Sequence, residues 1–218
     1  EQDRYAERSY SLAVRSVESG KFDEEIVPVS VPQRRGEPKL FGRDECPRPT
    51  TYEQLAAMPG AFRKEGVTTA GNASVISDGA SAVVVMSRRR AVELGCPVLA
   101  EVGAQACAGL DMKYVLVAPI LAIPKVLEKE GITIDRVDLF EINEAFAGST
   151  VAVMRELGID QAKVNVNGGS VALGHPIGSS GTRVLTTLLY EMKRSDRKIG
   201  LASLCLGGGE AVALVVKR

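Results

Sequence analysis

Ile199-Gly200-Leu201-Ala202-Ser203-Leu204-Cys205-Leu206-Gly207-Gly208-Gly209-Glu210-Ala211-Val212-Ala213-Leu214-Val215-Val216 decides the fold. Two apolar runs, Ile199–Leu204 and Glu210–Val216, read as strands separated by little more than three glycines. So short a link joins only antiparallel neighbours, since a parallel pair needs a crossover of a dozen or more residues. Upstream, Val184, Leu185, Leu188, Leu189 and Met192 recur at helical spacing after Gly181. Further back, strands are expected at Ala82–Met86, Val98–Ala106 and Val137–Ile142. Helices are expected from Ser87 to Gly95, over Pro119–Glu130 and over Glu144–Leu157. Strands alternating with helices imply a layered α/β domain, and the antiparallel final pair makes its five-stranded sheet mixed.

The first third differs. Ala6, Tyr10, Ala13, Val14 and Val17 mark one apolar helix face, closed by Gly20. A short extended piece spans Ile26–Val31, and Pro32 to Pro49 is a charged, proline-rich loop. Thr50 and Glu53 have capping-box spacing for a short helix that Pro59 closes. With little apolar content, residues 1–68 are expected to form a lid or arm on a core domain spanning 69–218.

Bulk composition narrows the function classes. The 27 basic and 27 acidic residues cancel, leaving no field to attract nucleic acid or an anionic membrane. Apolar runs such as Val83–Met86 and Ala211–Val216 are too short to span a bilayer. Four scattered cysteines without a CxxC pair suit a reduced, cytoplasmic setting.

The single histidine lies in Asn167-Gly168-Gly169-Ser170-Val171-Ala172-Leu173-Gly174-His175-Pro176-Ile177-Gly178-Ser179-Ser180-Gly181. Glycines there let backbone approach a ligand, and the run opens the most periodic helix, whose free N–H groups suit an oxyanion. Cys205 ends a strand beside Gly207, Gly208 and Gly209, placed for a nucleophile or proton carrier. Asn143-Glu144-Ala145-Phe146-Ala147 sits where a strand meets a helix. The competing readings are a hydrogen-bonded structural histidine, an inert buried thiol and a plain Asn143 helix cap. Cys46, Cys96 and Cys107 read as structural or incidental. Cysteine, histidine and asparagine alone would also suit a cysteine hydrolase.

Asn143-Glu144-Ala145-Phe146, Gly174-His175-Pro176-Ile177-Gly178 and Cys205-Leu206-Gly207-Gly208-Gly209, with Thr69-Ala70-Gly71-Asn72-Ala73-Ser74 and Asp78-Gly79, together resemble the thiolase family. The resemblance runs from Glu1 to Arg218 and implies a C-terminal half. It implies coenzyme A-dependent acyl transfer: thiolytic cleavage of a 3-ketoacyl-CoA, or Claisen condensation of two acyl-CoA molecules. His175 matches the histidine that activates the family's nucleophilic cysteine and binds the thioester oxygen. Cys205 matches the second, acid–base cysteine. Asn143 matches the asparagine that positions a water in the first oxyanion hole, and the Gly207 N–H matches part of the second. Residues 1–68 would cover coenzyme A, with Arg48 near its nucleotide end. Phe62, Ala70, Ala73 and Ser74 match positions lining the pantetheine, and Phe146 lies nearer the acyl end.

The resemblance further implies no tightly bound cofactor, coenzyme A thioesters as substrates, and a dimer or tetramer. Leu116-Val117-Ala118-Pro119-Ile120-Leu121-Ala122 departs from the family's Gly-x-Gly-Pro-x-Pro-Ala segment beside the acyl pocket. None of the four cysteines has the family nucleophile's Cys-x-Ser-Gly setting, so an N-terminal half is the expected partner. A non-catalytic acyl-CoA or lipid-binding relative is the competing class.

Overall fold

A computed structural model describes all 218 residues. Helix α1 spans Gln2–Glu18, followed by a hairpin of β1 (Val29–Val31) and β2 (Lys39–Phe41) and by α2 (Tyr52–Ala56). Then come α3 (Arg88–Leu94), β3 (Glu101–Gly109), α4 (Pro119–Glu130), β4 (Leu139–Ile142) and α5 (Ala147–Leu157). The chain closes with α6 (Ser170–Leu173), α7 (Ser180–Arg194), β5 (Ile199–Leu206) and β6 (Glu210–Lys217).

The main sheet has the order β3-β6-β5-β4, antiparallel except between β4 and β5. The glycine turn works as its composition requires: Gly208 and Gly209 have φ of 87° and 92°, a region closed to most side chains. Side chains on β6 then alternate, with Ala211, Ala213 and Val215 on one face and Val212, Leu214 and Val216 on the other. The first face meets α1, α4 and α5 in the larger core. The second meets Val184, Leu188, Leu189 and Met192 of α7. The arrangement is a sheet between two helical layers, and each large α7 side chain contributes roughly 1.5–3 kcal/mol by leaving water.

The expected fifth strand is absent, and the sheet has four. Residues 82–86 run extended without a ladder, and Val84 and Val85 are 84% and 73% exposed. An apolar run becomes a buried strand only when a neighbour pairs with it, and nothing in these 218 residues does. The capping box is one residue later than expected: Thr51 and Gln54 bond reciprocally, and Leu55 is the residue α2 buries. The first third divides. Tyr5, Ala6, Tyr10 and Ala13 of α1 are core residues, whereas residues 27–45 are exposed.

Candidate active site

β4 and β5 are the parallel pair, and their C-terminal ends lie together, where ligands commonly bind in α/β sheets. Ile142 pairs with Ser203, and the Asn143 N–H donates to the Ser203 carbonyl at 3.0 Å. Asn143 therefore leaves β4 beside the last turns of β5, where Cys205 sits two residues on. The loop before α7 returns over this end. The His175 N–H donates to the Val75 carbonyl at 2.8 Å. Asn143 Nδ2 stands 3.4 Å from His175 Nε2 although the residues are 32 apart in sequence. Two of the three expected chemical groups thus meet directly, and the third occupies the same sheet end.

Hydrogen bonding fixes how the imidazole is presented. Ser180 Oγ lies 3.0 Å from the Pro176 carbonyl and 2.6 Å from His175 Nδ1, and when it donates to the carbonyl it accepts from Nδ1. In that arrangement Nδ1 carries the proton and Nε2 is an acceptor facing the Asn143 amide nitrogen. Burial and then the positive Arg183 hold His175 below the ordinary histidine value, which keeps the ring neutral at pH 7. Burial pushes the Cys205 thiol above its ordinary value. At neutral pH it therefore holds its proton and can donate it. Gly207 is exposed in the turn, with nothing within 4 Å of where a Cβ would stand.

Residues expected to line a coenzyme A site divide in two. Residues 72–75 cross the Asn143 loop: the Ser74 N–H donates to the Ala145 carbonyl, and Ala73 bridges Phe146. Phe62 meets Phe146 edge-on at 6.1 Å, so Phe62, Ala73, Ser74 and Phe146 form one cluster beside Asn143. Phe62 is 75% exposed, an open aromatic face. Ala70 is exposed in the turn between Thr69 and Asn72, whereas Arg48 lies 5.4 Å over the Tyr10 ring.

Several residues that organise the site escaped sequence reasoning. Ser170 Oγ donates to Asn143 Oδ1 at 2.5 Å, and Arg183 Nη2 donates to Ser170 Oγ at 3.0 Å. Glu144, fully buried, accepts from Tyr5 and Ser9 of α1, from Asn165 Nδ2 and from the Val171 N–H. Gly169 leaves room for it, since an added Cβ would stand 2.2 Å from the Glu144 carboxyl carbon. Cys46 also approaches Gly174, but burial and the neighbouring Asp44 push its thiol up, away from nucleophilic use. No cluster of three or more ligating side chains forms, and no helix is long and apolar enough to cross a membrane.

The profile described as "Thiolase, N-terminal domain" matches residues 1–89, and that described as "Thiolase, C-terminal domain" matches residues 96–218. The chain is 53% identical over 219 residues to an acetyl-CoA acetyltransferase of Pseudomonas aeruginosa, covering 100% of this chain and 56% of that protein. It is 51% identical to another from Thiocystis violacea, covering 100% of this chain and 55% of the relative. The fold superimposes on the Bacillus anthracis acetyl-CoA acetyltransferase with a TM-score of 0.97 at 47% identity, covering 99% of this chain and 55% of that one. On human mitochondrial 3-ketoacyl-CoA thiolase the TM-score is 0.95 at 38% identity, covering 100% and 55%. The chain spans about half the length of the curated relatives it matches. With both domain profiles matched in order along its length, the chain belongs to the thiolase family.

Proposed function

We propose that these residues supply the acid–base half of a coenzyme A-dependent acyltransferase of the acetyl-CoA acetyltransferase type, and that a further stretch of thiolase carries the nucleophilic cysteine. The meeting of Asn143 and His175 at the sheet end that holds Cys205 carries this reading. In cleavage of a 3-ketoacyl-CoA, the nucleophile's thiol gives its proton to His175 Nε2 as sulfur attacks the 3-keto carbon. The protonated ring and a water on Asn143 then face the developing oxyanion. As the carbon–carbon bond breaks, its electrons pass to the α-carbon and Cys205 supplies the proton. A free coenzyme A thiol then attacks the acyl-enzyme, passing its proton to the Cys205 thiolate, while the nucleophilic cysteine leaves and regains its proton from His175. Condensation runs the same transfers backwards, with Cys205 removing the α-proton and the Gly207 N–H steadying the enolate. Preorganised donors of this kind are worth roughly 3–4 kcal/mol of barrier each.

On this reading residues 69–218 form the core domain, into which α1 also packs. Residues 1–68 form the segment over coenzyme A, Phe62, Ala73, Ser74 and Phe146 flank the pantetheine and acyl end, and Ala70 and Arg48 lie further along it. Coenzyme A thioesters come and go as substrates, with no resident cofactor. The assembly is a cytoplasmic dimer or tetramer that binds neither membrane nor nucleic acid. The exposed run Val83–Met86 supports a covering partner, because four adjacent apolar side chains facing water are an association surface.

The test is acetoacetyl-CoA thiolysis by the 218 residues alone and when mixed with the N-terminal portion of a relative. Turnover only in the mixture, abolished by Cys205→Ala, is expected. Turnover by the 218 residues alone would overturn the divided nucleophile. A stable but inert mixed complex would overturn acyl transfer.

A further inference from the structure

The Asn143–His175 pair is the end of a longer chain of hydrogen bonds whose polarity is set elsewhere. Arg183 Nη2 donates to Ser170 Oγ at 3.0 Å, and a guanidinium has no lone pair with which to accept. Ser170 must therefore spend its own proton outward, on Asn143 Oδ1 at 2.5 Å. With Oδ1 occupied, the amide turns Nδ2 toward His175 Nε2 at 3.4 Å. At the opposite end the Ser180 hydroxyl reaches both the Pro176 carbonyl and Nδ1 and can take either role toward the ring, so the tautomer is decided on the Asn143 side. Ser180 and Arg183 are three residues apart, on one face of α7.

Arg183 is itself held. Its Nη1 is buried without a hydrogen-bond partner and points at Glu141 Oε2 3.8 Å away. Glu25 and Asp44 feel the same positive charge. Only 19% of the Arg183 side chain reaches solvent, so water cannot readily replace the bond to Ser170.

We infer that Arg183 is a positioning residue which, through Ser170, holds the Asn143 amide with its nitrogen toward His175, so that the imidazole offers an unprotonated Nε2 to the site. Remove the guanidinium and Ser170 can accept instead. Asn143 is then free to reverse and offer Oδ1, which favours a proton on Nε2 and blocks the acceptor. The consequence for catalysis rests on the acyltransferase reading, whereas the tautomer does not.

His175 is the only histidine, so the imidazole nitrogens of uniformly ¹⁵N-labelled chain give one pair of ring signals. Spectra are recorded on the alkaline side of its titration for wild type, Arg183→Met, Arg183→Lys and Ser170→Ala. Wild type is expected to show the Nδ1–H form alone. Arg183→Met and Ser170→Ala should show both tautomers in comparable amounts, and Arg183→Lys, still only a donor, should restore the single form. A wild-type pattern retained in folded Arg183→Met overturns the inference. If that variant does not fold, the same pattern in Ser170→Ala overturns it. These outcomes leave the thiolysis test untouched, so either reading can fail without the other.

Discussion

Glu141→Gln tests the electrostatics behind the site. Glu141 lies on β4 at 3% exposure, and burial, with Glu144, Glu25 and Glu191 nearby, raises its carboxyl from 4.5 to about 8 despite Arg183. Between those values the folded chain keeps a proton that the unfolded chain releases, so stability falls as pH rises through this window. At about 1.4 kcal/mol per pH unit the full loss is on the order of 4–5 kcal/mol above the upper value. Glutamine keeps the shape and never ionises. Urea unfolding followed by circular dichroism, from about pH 5 to about pH 9, should show the two proteins nearly equal at the acid end. The glutamine variant should gain several kcal/mol at the alkaline end, without change in the urea slope. A difference independent of pH, or a variant less stable at the alkaline end, would refute the reasoning. The Arg183–Glu141 attraction would then outweigh desolvation, with a charged carboxylate native at neutral pH.

Three other outcomes follow from the same geometry. Tyr5→Phe deletes the 2.8 Å bond to Glu144 Oε1 and leaves a buried acceptor short, which should cost roughly 1–3 kcal/mol in urea unfolding. Gly169→Ala drives a Cβ against the Glu144 carboxyl, and a loss above roughly 2 kcal/mol or failure to fold is expected by the same assay. Because burial raises the Cys205 thiol, its alkylation by iodoacetamide near neutral pH should lag well behind that of exposed Cys107, as read by peptide mass mapping.

Legibility followed locality. Helix α4 could be bounded to the residue because Pro119 opens it and Gly131, at φ 72°, closes it. The β5–β6 hairpin was equally plain from its glycines. Residues 82–86 misled because an apolar run forms a buried strand only where a neighbour pairs with it, and none of these residues does so. At the site, Asn143, His175 and Cys205 stood in recognisable motifs. Ser170 lay inside the histidine motif and Arg183 just beyond it, but neither role was legible, since each acts through a partner 27 or 13 residues away. One signal was available: a glutamate at 141 inside an otherwise apolar strand marks a buried polar region, and Arg183 Nη1 lies 3.8 Å from its carboxyl group.

The two buried polar knots share their backbone, and this explains why α1 belongs to the site rather than to a detachable lid. Asn143 and Glu144 are consecutive, and so are Ser170 and Val171. Asn143 with Ser170 faces α7 through Arg183, while Glu144 with the Val171 N–H faces α1 through Tyr5 and Ser9. Ser9 also accepts from the Gly169 N–H at 3.0 Å, so α1 grips both strands of the knot at once. A movement of α1 that broke these bonds would strand a buried carboxyl group and shift the dipeptide carrying Asn143. The helical layers on the two sides of the sheet therefore fix one amide between them, and loosening either should be felt at His175.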